Sequence, residues 1–243
     1  AVASICLHVS TGRAGSPFEI VGNGAVLDGT RPVPAEAWSH VRGDVFRFLP
    51  PRMAHQLLYL DGQPARRVPV EPAAGFPELE PLEWCLFDRH VYFRTEPGRD
   101  PATYELTHTA LQVGITVYEA RHVVIRRLVI QGFQLDGVNA HDGAFDLTLT
   151  GLVCRGNGRS GISVGGASRV VVESCLLGNN GAAQLRTEGE SHTQVINSDL
   201  IGAPHAPALV REGGQVTVRE RPQEPAVPPS TGTSAGDDTP DEK

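Results

Sequence analysis

The sequence predicts an all-β fold, a parallel β-solenoid with an antiparallel β-module inserted into its N-terminal half. Three observations carry this. One column of apolar residues, Ile115, Val138, Ile162, Leu185 and Leu209, advances in steps of 23, 24, 23 and 24 residues. A second column, Ile125, Leu149, Val172, Ile196 and Val218, keeps nearly the same stride, with steps of 24, 23, 24 and 22. Between them, the turn residues Gly156-Asn157-Gly158 and Asn179-Asn180-Gly181 recur in register. Two apolar columns at one period, divided by Gly/Asn corners, mark a coiled solenoid. A unit of about 23 residues is too short for a strand plus a long helix, and its apolar runs are β-branched and alternate. Each coil is therefore a rung of short strands.

Such a fold makes a demand that the sequence meets. A rung buries its ladder residues only against the rungs above and below, about 4.8 Å away. Each buried Val, Ile or Leu contributes roughly 1.5–3 kcal/mol, too little for one rung to offset its own ordering entropy. The period must hold from rung to rung.

Taken in order, residues 1–29 read as an early β-helix rung or a hairpin. Phe18-Glu19-Ile20-Val21 and Ala25-Val26-Leu27-Asp28 flank Gly22-Asn23-Gly24, and Asn-Gly is locally a hairpin signal. Residues 30–104 differ in character, holding both tryptophans and eight of the twelve Phe and Tyr residues. Short strands are expected at 45–49, 56–60, 84–87 and 91–94, with turns at Asp61-Gly62 and Asp88-Arg89 and proline-rich joints between. This stretch is the inserted antiparallel module. Residues 105–219 are the parallel β-helix. From Glu220 to Lys243 the chain is rich in Pro, Ser, Thr and acids without apolar pattern, and is expected to be a disordered tail.

Composition removes several function classes. Net charge is −7, and the six acids and two bases from 220 to 243 leave only −3 for the rest, so a nucleic-acid surface is not expected. Lys243 is the single lysine among 21 basic residues, so cationic roles in the fold fall to arginine or histidine. Cys6, Cys85, Cys154 and Cys175 have no metal-binding spacing; Cys154 and Cys175 replace apolar repeat residues and read as small buried hydrophobes. No run is long enough to span a membrane. Ala1 leads straight into the strand-like Ile5-Cys6-Leu7-His8-Val9, without signal peptide or solenoid cap, so the chain is expected to start inside a longer protein. No cofactor or metal is expected. Gly156-Asn157-Gly158-Arg159-Ser160-Gly161 has no helix after it to make a phosphate loop, and no loop offers the six or more oxygens calcium takes.

The repeats Val123-Val124-Ile125-Arg126-Arg127-Leu128, Leu147-Thr148-Leu149-Thr150-Gly151-Leu152 and Val170-Val171-Val172-Glu173-Ser174-Cys175 resemble the right-handed parallel β-helix superfamily, the pectate-lyase-like fold. The aromatic module ahead of them is similar to that of bacterial glycosidase families in which a β-sandwich interrupts the helix. The resemblance implies right-handed coiling, as does the rule for parallel crossovers. It also implies a carbohydrate-active, secreted or periplasmic protein. The activity is left open, since lyases, hydrolases, epimerases and adhesins share the fold.

Side chains alternate along a strand, so if Val138 points inward, Asn139 and His141 point outward. Counting across rungs puts Thr116, Ser163 and Arg186 in the column of Asn139, and Tyr118, Gly165 and Glu188 in that of His141. Asp136 and Asp142 fall at the strand ends, and Gly165-Gly166 leaves a gap for something to approach. Glycoside hydrolysis needs two carboxyl groups about 5 to 10 Å apart, and Glu188 with Asp142 or Asp136 is the candidate pair. A polysaccharide lyase would instead use His141 as base and Arg186 to neutralise a uronate. The catalytic candidates are therefore Glu188, Asp142, His141 and Asp136, with Tyr118, Asn139, Ser163 and Arg186 contacting a polysaccharide or oligosaccharide. Glycoside hydrolase is the leading expectation. The alternatives are a lyase and a non-catalytic glycan-binding or surface structural module. The bland reading is that Asp-Gly pairs make turns and that outward Asn, Ser and Arg are solvated surface.

Overall fold

The computed structural model describes residues 3–9, 12–52, 55–71 and 75–220. The tail expected beyond Glu220 lies outside the described residues. Within them the fold is all-β, apart from the short 3-10 turns Ala35–Ala37 and Pro101–Thr103.

The first ladder pairs as its spacing requires. Ile115 lies beside Val138, Val138 beside Ile162, Ile162 beside Leu185 and Leu185 beside Leu209, all in parallel strands. In the second ladder Ile125, Leu149 and Val172 align, but Val172 faces Val195 and not Ile196. The residues adjoin and are both apolar, so composition does not choose between them. Alternation does: Thr193 and Val195 are each 1% exposed and point into the stack.

The early segment is a rung. Ile5–His8 runs parallel to Ile115–Tyr118, and Phe18–Asp28 runs parallel to Arg121–Gln131. Gly22-Asn23-Gly24 is no hairpin tip; the register shifts there, between the Val21–Arg126 and Ala25–Leu128 pairs. Burying Leu7 and Leu27 against the ladders outweighs the local turn preference of Asn-Gly.

Ile115, Ile125, Val138, Leu149, Ile162, Val172 and Leu185 share one core, in which Cys154 and Cys175 are also buried. Burial pushes the Cys175 thiol up to about 11. One corner of the stack is polar inside. Asn157 donates through Nδ2 to Asn180 Oδ1 at 3.0 Å, Asn180 to Gln184 Oε1 at 2.8 Å, and Gln184 to the Ala206 carbonyl at 3.1 Å. The Gly/Asn corners are thus a ladder of buried amides that absorbs the backbone groups a tight turn strands.

The chain leaves the solenoid after Asp28 to form two antiparallel sheets. Thr30–Pro32, Leu106–Thr109, Leu58–Leu60 and Gln63–Pro64 form one. Ser39–Arg42, Val45–Phe48, His90–Arg94 and Glu83–Phe87 form the other, extended by Arg66–Arg67 in parallel. Trp84, Phe93, Phe48 and Leu58 fill the space within, and Trp84 Nε1 donates to the Ala65 carbonyl at 3.0 Å. Tyr59 ties the module to the solenoid, its hydroxyl donating to the Gly156 carbonyl. Close by, a Cβ at Gly158 would lie 1.9 Å from the His55 carbonyl, so the corner must be glycine for the module's loop to seat.

Candidate functional site

The outward columns form as the alternation predicts. Thr116, Asn139, Ser163 and Arg186 stand beside one another on successive rungs, and Tyr118 beside His141. The early rung adds Cys6 and His8, and the last adds Glu212 beside Glu188. Sequence reasoning missed His8 because a reading of residues 1–29 as either rung or hairpin leaves it without a register; carrying the rung alternative back one coil finds it.

Two of the predicted site residues are not on an open face. Asp136 is 0% exposed and accepts from Arg159 Nε at 3.0 Å, Arg159 Nη2 at 2.5 Å and Ser160 Oγ at 2.5 Å. Its position at the head of the strand turns it into the corner, and its partner Arg159 was not recognised in the sequence. Ser163 points away from the core, yet it is 1% exposed and offers no surface to a ligand.

The other candidates do come together. His141 Nδ1 lies 2.9 Å from Asp142 Oδ2, with the Asp142 side chain 59% exposed. The Tyr118 ring sits between those of His8 and His141, each 5.2 Å away centre to centre. The charge of Glu119, then burial, holds the Tyr118 phenol above its ordinary value. Arg186 Nη2 reaches Glu188 Oε2 at 3.5 Å and also pairs with Glu212.

The glycine gap is occupied, not open. A Cβ on Gly165 would lie 2.9 Å from Glu188 Oε1, and one on Gly166 would lie 2.6 Å from Asp142 Oδ1. The two acids, two rungs apart along the stack, lean over neighbouring residues of the rung between them. The absence of side chains at 165 and 166 is what lets the carboxylates converge.

Beside the Thr116 end of the column, a cleft of about 520 Å³ opens between the module and the solenoid. Arg31, Arg52 and His108 line it from the module, and Gln112, Thr116 and Gln134 from the coil. Among the described residues no acidic one lines it. No spacing or motif points to this feature, because which module residues face the coil depends on how the insertion folds back. Burial depresses the His108 imidazole below its ordinary value, and a bond to the Thr109 carbonyl partly opposes this. Among the described residues no group of three or more His, Cys, Asp and Glu side chains could hold a metal ion, and no helix is long and apolar enough to cross a membrane.

Residues 107–220 match the family described as a right handed beta helix region. Among solved structures the chain is similar to a complex of XylC with xylose, at 12% identity and a TM-score of 0.39. That alignment takes in 89% of this chain and 64% of the other, so the chain spans less than two thirds of it. No curated protein matches the chain.

Proposed function

We propose that this right-handed β-helix, with its inserted antiparallel module, is a carbohydrate-active protein that cleaves polysaccharide outside the cytoplasm as a glycoside hydrolase, with Glu188 and Asp142 as its two carboxyl groups. One observation carries the reading: both acids lean over Gly165 and Gly166, with side chains 44% and 59% exposed on a face that a sugar chain can reach. Their backbones are about 10 Å apart across two rungs, and each carboxylate leans inward. That favours the separation of about 6.5–9.5 Å at which one carboxyl protonates a leaving oxygen while the other activates water. The row of tilted rings His8, Tyr118 and His141 gives sugar rings an apolar surface beside the acids.

Lyase chemistry fits less well. Arg186, the cation that would neutralise a uronate, already serves Glu188 and Glu212. The non-catalytic reading keeps one supporting observation: each carboxylate of the pair has a basic partner, Asp142 in His141 and Glu188 in Arg186, as on an ordinary solvated face. The chain is to be incubated with a panel of polysaccharides, reading reducing ends and unsaturated products separately. Reducing ends without unsaturation, lost in Glu188→Gln and Asp142→Asn at unchanged melting temperature, are the expected result. Unsaturated products would establish a lyase instead. Binding without either product would leave a glycan-binding module.

A further inference from the structure

Around the corner that follows Asp142, the next strand of each rung carries a ladder that the acid pair does not use. Phe145 pairs with Arg121 on the rung before it. On the rung after, Arg169 donates its backbone N–H to the Ala144 carbonyl, which sets it beside Phe145. The guanidinium carbon of Arg121 lies 4.5 Å from the centre of the Phe145 ring, and that of Arg169 5.5 Å. Stacking on a ring engages the flat face of a guanidinium and leaves its N–H edge for a carboxylate. Among the described residues neither arginine has a carboxylate within ion-pairing distance. Asp146, which lines a groove with Arg169, has His122 as its partner, with Nδ1 3.3 Å away.

Two guanidiniums held two strand spacings apart, roughly 9.6 Å, suit an acidic peptide with carboxylates at that interval. The chain has such a peptide in its own tail, outside the described residues: Asp237-Asp238-Thr239-Pro240-Asp241-Glu242. Proline and the residue before it favour polyproline II, in which residues three apart lie on one side, about 9.3 Å from each other. Asp238 and Asp241 are three apart. The length of chain between also fits. The ladder continues through His192 to Gln215, four residues before Arg219 on the last strand. Arg169 and Arg121 therefore stand two and four rungs above that strand, roughly 16 and 23 Å from Arg219 across the sheet. Asp238 follows Arg219 by nineteen residues, and a flexible chain of that length spans about 22–26 Å on average.

We infer that residues 237–242 dock on this ladder as a strap, with Asp238 and Asp241 each taken by one of the two guanidiniums. Charge agrees: four acids in six residues meet two arginines that have no other carboxylate. Tethering replaces a bimolecular encounter by a high effective concentration, greatest when the average length of the linker matches the span. Two exposed ion pairs, each weak by itself, gain from that tether. The tail so held lies across the second sheet, where a strand of another chain would otherwise find the face open. The inference concerns this sheet and owes nothing to the hydrolase reading.

The experiment is millisecond amide hydrogen exchange on the full chain, read by mass spectrometry on the peptide covering residues 237–242 and corrected for intrinsic rates. Wild type is compared with the double variant Arg121→Gln with Arg169→Gln, both on exposed positions, whose melting temperature shows that the rungs are folded. A second double variant, Asp238→Asn with Asp241→Asn, alters no residue of the rungs and keeps the test valid if the first fails to fold. The expected result is exchange in wild type about threefold or more slower than in either variant, with the difference fading in added salt. A wild-type tail that exchanges as fast as both variants would overturn the inference. Slowing that survives both variants would overturn it too. Slowing that grows with protein concentration would put the tail of a second copy on the ladder and overturn the contact within one chain. Added dextran sulfate, bound through the arginines while the tail exchanges freely, would give the ladder to an outside polyanion and overturn the strap.

Discussion

The strand Asp136–His141 holds a carboxylate at each limit, Asp136 at its head and Asp142 just past its end, and the two live in opposite circumstances. Asp136 is 0% exposed and accepts three hydrogen bonds, two from Arg159 and one from Ser160. Asp142 has its side chain 59% exposed and a single close partner, His141. Both began as the same feature, an Asp-Gly pair at a rung boundary. The difference teaches where a solenoid keeps its chemistry. Acids turned into a corner are consumed in holding the coil closed, whereas acids turned outward keep their carboxylates exposed, each beside a single basic side chain of the same face. The same contrast separates the amide ladder Asn157–Asn180–Gln184 from the surface set of Arg186, Glu188 and Glu212.

Asp136→Ala tests the contrast most severely. It strands Arg159, whose side chain is 24% exposed, beside a void, and breaking such a buried pair costs about 3–5 kcal/mol. Urea denaturation should show that loss, and a cost of only a few tenths would mean the corner pair is not structural. Asn180→Ala comes next. It leaves Asn157 Nδ2 and Gln184 Oε1 short of a partner, for about 1–3 kcal/mol by the same measurement.

A smaller effect depends on pH. Burial lowers His108 in the folded state below its unfolded value of about 6.5. Between those two values the unfolded chain binds a proton that the folded chain does not, so stability rises with pH there. The contribution of His108 is complete above about pH 6.5 and is lost as pH falls through the window. His108→Gln should flatten that part of the pH–stability curve, leaving the contribution of His55, lowered in the same direction. A slope unchanged in His108→Gln would contradict the assignment.

Much of the fold was legible because a solenoid repeats its evidence. Ile115, Val138, Ile162, Leu185 and Leu209 each confirm the same register, and the alternation that follows from it placed Asn139, Arg186 and Glu188 correctly on the outside. Legibility failed where the argument had one residue to work with. Val195 and Ile196 are adjacent and alike, and the step count favoured the wrong one. Asp136 read as an outer acid because its partner, Arg159, is 23 residues away and belongs to no motif. Ser163 alternates outward, but pointing outward is not the same as meeting water, and its burial depends on neighbours no spacing encodes. The cleft is beyond such reading for the same reason, since Arg31 and Arg52 reach the coil only through the folding of the insertion.

On the proposed function the outward acids act on a glycan, while the corner acid only holds the coil. Glu188→Gln tests it most directly, with reducing-end release and thermal melting read on the same sample. Stability should stay within about 0.5 kcal/mol of wild type, as for an exposed position. Cleavage of whichever polysaccharide the parent attacks should fall about 100-fold or more. Wild-type cleavage at unchanged melting would contradict the claim and place the chemistry elsewhere on the molecule.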